Sequence, residues 1–300
     1  MSAVHAAVQL LVFPGLLYAV PASFLLTWLQ RKINARLQGR IGPPFYQPFF
    51  DVIKLAAKKP IPRPPLQGFV MTMLPVGAVT ATLAATALLP VFPAEGGFSG
   101  DLVLLVALIE VGPLLGVLAG YVSRSLWGGL GSSREAVMTA AYNLPFLTAL
   151  IALVQLDGFS LSAVATGGSA VVRILVLAAL LLCLPAKLHL NPFSIASAEQ
   201  EIYAGVTTEF DGPRLALWEL AHGLEWVALV GLVAALAFPF TVAWYWHVLA
   251  FAVISLLVVA VLSVLAASTA RLKLAQTARW FWLWGFGIAL SALGLAFVGI

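Results

Sequence analysis

Charge is scarce in this sequence, and cysteine scarcer still. Only 9% of the 300 residues are charged and 62% are hydrophobic, against about half apolar in an ordinary soluble domain. Such a chain cannot hide its apolar surface in a core, so lipid has to serve as part of its solvent. The single cysteine, Cys183, lies in an apolar run. One thiol excludes an intrachain disulfide, a cysteine-ligated iron–sulfur cluster and a cysteine zinc site, so any redox centre belongs to a partner. No Ser–His–Asp arrangement, metal-ligand spacing or nucleotide fingerprint stands out, and neither catalytic nor metal residues are assigned. Internal repeats and low-complexity linkers are missing as well, and residues 1–300 read as a single multi-pass membrane domain. The net charge is +4, but the cations sit at the ends of apolar runs. That is the mark of membrane topology and not of nucleic-acid binding.

What is present is segmented hydrophobicity. About 20 apolar residues cross a bilayer as a helix, and by that measure eight spans are expected, at about 8–29, 69–92, 102–122, 136–156, 170–189, 215–238, 242–268 and 280–299. The first run lacks a basic segment before it and exits at Arg31-Lys32, which reads as a spanning helix and not a cleaved signal. Pro90, Pro93, Pro185 and Pro239 fall near span ends, whereas Pro75, Pro113 and Pro145 fall inside spans, where membrane helices tolerate a kink. The fold class expected is an all-α integral membrane protein with a short amphipathic interfacial helix in its first polar loop.

Fifteen of the sixteen Lys and Arg residues lie in or beside the loops after spans one, three, five and seven, at about 30–68, 123–135, 190–214 and 269–279; Arg173 is the exception. The positive-inside rule makes those loops cytoplasmic and puts both termini on the outer side of the cell (cytoplasmic, or inner) membrane.

Eight of those cations crowd between Arg31 and Pro65. Within that loop Gln47, Asp51, Lys54 and Lys58 recur at helical spacing, with Phe49, Phe50, Ile53 and Ala57 opposite and Pro48 in the first turn. Periodicity alone reads this as a surface anchor with snorkelling lysines. After span three, Gly128, Gly129 and Gly131 precede Ser132 and Glu135; no Lys-Ser/Thr pair follows, so a glycine turn with a capping box is expected here and not a phosphate loop.

Carboxylates gather elsewhere. Glu199, Glu201, Glu209 and Asp211 lie within thirteen residues on the basic side, where the positive-inside rule assigns acids no role. A solvated acidic loop and a proton-exchanging cluster both fit. Glu110, Glu219 and Glu225 fall inside apolar spans, and His222 stands three residues from each of the last two, on one broad side of a helix. Ionisable groups at membrane depth cost a few kcal/mol each, so a functional role competes with a helix-packing one. Together these residues form a candidate proton path.

Three ordered blocks then carry a resemblance. Arg40-Ile41-Gly42-Pro43 with Gln47-Pro48 and Asp51-Val52-Ile53-Lys54 resembles the first cytoplasmic loop of the complex I subunit 1 superfamily, including the membrane anchor subunit of energy-converting nickel–iron (NiFe) hydrogenases and formate hydrogenlyases (subunit 4). Glu199 to Glu219 is similar to that superfamily's acidic loop and next helix, and Gly120-Tyr121 through Ser132-Ser133-Arg134-Glu135 matches a third block. The short Pro43-Pro44-Phe45-Tyr46-Gln47-Pro48 segment resembles the hydrogenase branch.

The resemblance implies a non-catalytic subunit of an oxidoreductase complex that couples redox chemistry to proton or sodium translocation. Its implied partners are a hydrogenase-like large subunit, an iron–sulfur small subunit, a ferredoxin-like subunit and antiporter-like membrane subunits. Iron–sulfur clusters and a NiFe centre would belong to those partners, with no cofactor in this chain. Arg40, Gly42, Pro43, Gln47, Asp51, Lys54 and Arg134 are implied to lie near the docking surface and cavity. Two alternatives stand: the quinone-site subunit of a proton-translocating dehydrogenase, and an autonomous transporter or channel, against which the absence of an inverted repeat counts. The chain also departs from the family's pattern. Asn143 follows Tyr142 where many relatives carry an acid, Ser194 and Ser197 stand where Asp and Glu are common, Gln30 replaces a Glu, and Glu225 replaces a Lys of some hydrogenase relatives.

Overall fold

A computed structural model describes residues 15–89, 101–167, 169–237 and 244–299. Twelve α-helices can be named in them: α1 (Leu16–Leu37), α2 (Gln47–Ala56), α3 (Pro65–Ala87), α4 (Leu102–Ser123), α5 (Leu126–Asp157), α6 (Leu161–Thr166), α7 (Ala170–Lys187), α8 (Glu199–Ile202), α9 (Gly212–Ala237), α10 (Trp244–Ser268), α11 (Leu274–Trp280) and α12 (Phe286–Val298), with a 3-10 turn at Gly205–Glu209. A single π-helical turn, Phe281–Gly285, joins the last two into one rod. No β-strand is formed among the described residues. Among the described residues seven stretches are long and apolar enough to cross a bilayer: α3, α4, α5, α7, α9, Leu249–Ser268 of α10 and the Leu274–Val298 rod. The chain is an all-α, multi-pass membrane protein. The expected first span at 8–29 lies partly outside the described residues, as do Pro90, Pro93 and Pro239.

These helices are apolar nearly all round because neighbours cover one side and lipid the other. Helix α9 is the axis of the molecule. Every residue from Gly223 to Leu236 is buried, and α9 packs on α1, α2, α3 and α10. Small residues let the rods approach: a Cβ on Gly223 would sit 3.2 Å from Ser23 Cβ, and one on Gly116 3.1 Å from the Trp218 ring.

Several boundaries differ from the sequence expectation. Helix α1 runs on to Leu37, carrying Arg31, Lys32 and Arg36 beyond the apolar run. The largest difference is at α5, expected to begin near 136 and observed to begin at Leu126. The capping-box turn at Ser132–Glu135 is therefore not formed. Ser125 is the N-cap, its hydroxyl accepting from Gly128 N at 3.5 Å, while the Ser132 hydroxyl donates to Val117 O at 2.8 Å on α4. Two of these glycines serve close crossings: a Cβ on Gly131 would lie 2.9 Å from Gly205 Cα and one on Gly128 3.1 Å from Gly120 O. The polar connections on the basic side accordingly shrink to 38–64, 124–125, 188–211 and 269–273. Pro185 lies in the last turn of α7, near the span end as expected. Arg173, the exception to the charge pattern, donates to the carbonyls of Val164 and Gly167 and so closes the end of α6.

Candidate functional site

The amphipathic pattern at 47–58 does form a helix, α2, with Pro48 buried in its first turn. One side of it roofs a cavity of about 730 Å3 that runs inward between α1, α5 and α9. Asp51 and Lys54 of α2 and Arg31 of α1 line its mouth. Arg31 Nη1 lies 3.1 Å from Asp51 Oδ2, and Gln47 Nε2 donates to Asp51 Oδ1 at 2.8 Å. The other side of α2 leaves Phe49, Phe50 and Ile53 about half exposed.

At the inner end four ionisable groups converge from three elements. Glu225 and His222 come from α9, Glu135 from α5, and His189 from the turn that ends α7. His189 Nδ1 is 3.6 Å from Glu135 Oε2 and His222 Nδ1 is 3.4 Å from Glu225 Oε2. The two imidazole centroids are 5.8 Å apart. The Trp226 indole donates to His222 Nε2 at 3.3 Å, so the other ring nitrogen carries the proton that faces Glu225. Glu225 Oε1 is buried with no protein partner, an orphan acceptor on a residue that lines the cavity. His189 has φ +53°. A β-carbon-bearing residue is rarely found in that left-handed region, which the turn imposes to aim the imidazole back at α5.

Deeper in, the Thr139 hydroxyl donates to Glu135 Oε1 at 3.4 Å and lies 3.1 Å from the Tyr142 hydroxyl. Tyr142 is fully buried. The Lys187 ammonium sits 4.7 Å above the Tyr142 ring and 4.2 Å above the Phe146 ring. Lys187 also pairs with Glu110. Asn143 braces that pair, accepting from Lys187 at 3.0 Å and donating to Glu110 Oε2 at 2.8 Å. Ionisable and hydroxyl groups thus run from the basic surface into the bundle: Asp51, His222/Glu225, His189/Glu135, Thr139, Tyr142, Lys187/Glu110.

The residues expected from sequence divide into two groups. Glu219, His222 and Glu225 line the cavity, and Glu110 ends the deeper run. Glu201, Glu209 and Asp211 do not line it; they sit in the seams of the basic face. Glu201 pairs with Arg134 at 2.6 Å and Arg271 at 4.0 Å. Asp211 accepts from Ile61 N at 2.6 Å and from Arg214 at 2.9 and 3.2 Å. The Glu209 carbonyl accepts from Arg63. Glu199 opens α8, and its side chain lies outside the described residues. Of the docking candidates, Arg40 is exposed beside Gln38. Gly42 adopts φ +74° and Pro43 O accepts from Trp28 Nε1 at 3.1 Å, which folds the loop back on α1.

The sequence reads Glu135 as a cap and Asn143 as a departure from the family's pattern, and assigns neither these nor His189 and Lys187 to the site. A usable signal existed: Glu135, Thr139, Tyr142 and Asn143 fall at i, i+4, i+7 and i+8, one face of a helix. Among the described residues no group of three or more His, Cys, Asp or Glu is arranged to hold a metal ion.

Comparison with known proteins bears on this arrangement. The profile of the family described as NADH dehydrogenase matches residues 8–297. Hydrogenase-4 component C of Escherichia coli K12 is 30% identical over 226 residues, 72% of this chain and 71% of its own. Formate hydrogenlyase subunit 4 of the same organism is 28% identical over 100% of this chain and 99% of its own. A chain in the structure of the membrane-bound sulfane sulfur reductase, an archaeal respiratory membrane complex, superposes with a TM-score of 0.87 at 26% identity over 98% of both chains. The match along nearly the whole length and the shared helical architecture lead to one conclusion: this chain belongs to the NADH dehydrogenase family of complex I subunit 1-type membrane proteins.

Proposed function

We propose that this chain is the membrane anchor and ion-coupling subunit of a complex-I-like respiratory hydrogenase or formate hydrogenlyase complex. One observation carries the reading: ionisable and hydroxyl groups are spaced from a cavity beneath the basic loop to the Lys187–Glu110 pair inside the bundle. Charged groups at membrane depth mark ion pathways because each is costly unless it has work to do. In this reading α2 and the basic loop receive a hydrogenase-like large subunit and an iron–sulfur small subunit, which hold the clusters and the NiFe centre. Antiporter-like subunits flank the bundle, and both termini lie on the outer side. Protons enter at Asp51 and Glu219, pass the two His–Glu pairs and reach Glu110.

Purification of the complex through a tag on this chain tests the reading. Nickel and hydrogen-evolving or hydrogen-consuming activity should accompany it. A flavin and a tightly bound quinone in place of nickel would move the chain to the dehydrogenase branch, and a lone functional oligomer would make it a transporter. Reversing Lys54 and Lys58 to Glu should release the catalytic arm; unchanged co-purification would contradict the docking surface.

A further inference from the structure

We infer that the cavity beneath α2 binds a zwitterionic ammonium–phosphate group of the kind an aminophospholipid carries, with the ammonium on Glu225 at the inner end and the phosphate on Arg31 and Lys54 at the mouth. The inference goes beyond the coupling reading and does not rest on it, since binding does not require that protons move.

Three observations carry it. First, the charges on the wall are sorted by depth. The lysines and arginines lining the cavity are Arg31, Lys54 and Lys58, on α1 and the α2 loop; further in, the wall holds Glu219, Glu225, Glu135 and two imidazoles. Arg31 already shares Asp51 with Gln47, but among the described residues Lys54 and Lys58 form no ion pair. A ligand with a positive head and a negative group behind it matches that order.

Second, one buried acceptor is open. The Glu225 side chain is 9% exposed, and its Oε2 lies 3.4 Å from His222 Nδ1. Its Oε1 has no protein partner. An unfilled carboxylate oxygen on a cavity wall calls for a donor, and an ammonium brings three. The carbonyls of a quinone ring only accept, so they cannot satisfy it.

Third, the wall runs on into apolar surface outside. Phe24 lines the cavity, and its ring meets that of Phe49 edge-on at 5.8 Å. Phe49 meets Phe50 at 5.7 Å, and Phe50 meets Tyr46 at 5.6 Å. Phe49, Phe50 and Tyr46 are each about half exposed. Acyl chains attached to a headgroup in the cavity would cover that aromatic row, which a free ion would leave bare. The volume of about 730 Å3 suits a small-molecule headgroup.

The test uses the intact complex. Retained lipids are counted by native mass spectrometry, and cryo-electron microscopy in nanodiscs of each lipid shows whether headgroup density reaches Glu225. The probes are phosphatidylethanolamine, phosphatidylcholine, phosphatidylglycerol, a long-chain quinone and free phosphoethanolamine. Phosphatidylethanolamine should be retained at least about tenfold better than phosphatidylcholine, whose quaternary nitrogen donates no hydrogen bond. Glu225→Gln should lower its retention by about tenfold, and Arg31→Gln several-fold. The comparison of lipids on the wild-type complex needs neither variant to assemble. Displacement by free phosphoethanolamine would support the site and name a soluble zwitterion as its ligand; resistance to displacement would support it and name the lipid. Equal retention of phosphatidylcholine or phosphatidylglycerol, preference for the quinone, or density that stops short of Glu225 overturns the inference. A complex that moves no protons yet holds the headgroup overturns the coupling reading alone.

Discussion

Asp211 offers the sharpest separation of two roles. Its acidic neighbourhood makes it a proton-path candidate by sequence, yet its side chain is 3% exposed and fully engaged. It accepts from Ile61 N at 2.6 Å and from Arg214 Nη1 at 2.9 and 3.2 Å, and so clasps the 58–63 stretch to the start of α9. Asp211→Asn keeps the shape but removes the charge and turns an amide N–H towards a guanidinium. Breaking a buried pair by removing one partner costs about 3–5 kcal/mol. Two facts pull the figure to the lower end. Arg214 keeps Thr72 Oγ1 at 2.9 Å and Gly68 O at 3.4 Å as acceptors, and Ile61 is 59% exposed, so water can satisfy its N–H. The expected loss is about 3 kcal/mol of apparent stability in detergent, measured by denaturant titration. Because the clasp holds the loop that carries α2, trypsin should cut faster at Lys58, and Asp211→Leu/Arg214→Met should recover most of the stability. The reasoning is refuted if Asp211→Asn stays within about 1 kcal/mol of wild type, with unchanged cleavage, yet moves fewer protons per turnover. Asp211 would then be a carrier and not a clasp.

Further expectations follow the same logic. Gly131→Ala should destabilise by about 1–3 kcal/mol, as overpacking does, because the added carbon meets the backbone of Gly205 and Val206 at 2.9 and 3.0 Å; a wild-type unfolding midpoint would contradict that crossing. Lys187→Met alone should cost about 3–5 kcal/mol and the double variant with Glu110→Gln much less; losses that simply add in a double-mutant cycle would mean the two groups do not interact. Glu201→Gln should change stability by less than about 1 kcal/mol, since its pairs with Arg134 and Arg271 are half-exposed; a larger loss in thermal unfolding would show that this surface network carries more than screening allows. Gly42→Ala should cost about 1 kcal/mol through its φ of +74° and loosen partner co-purification; unchanged binding would make the loop's path irrelevant to docking.

Lipid as solvent, the multi-pass architecture and the asymmetry of cations were legible in the order of residues. Each depends on how a local stretch partitions between water and hydrocarbon, and that is additive along the chain. The α2 helix was equally legible from its period, and the intramembrane Glu219, His222 and Glu225 from their depth. Gly128 and Gly131 were not, because turn and close crossing use the same residue for different reasons, and only the packed neighbours, Gly120 and Gly205, distinguish them. Glu135 read as a cap because its ionisable partner, His189, lies far along the chain on another element. Between a solvated loop and a proton-exchanging cluster the sequence could not choose for Asp211 and Glu201, because it shows a carboxylate's charge but not the arginine beside it. The Lys187–Glu110–Asn143 grouping joins three helices across 77 residues of chain. Its chemistry exists only where α4, α5 and α7 meet. Local partitioning determined that the chain lies in the membrane; the long-range packing of helices decided which of its charges remain free to act there.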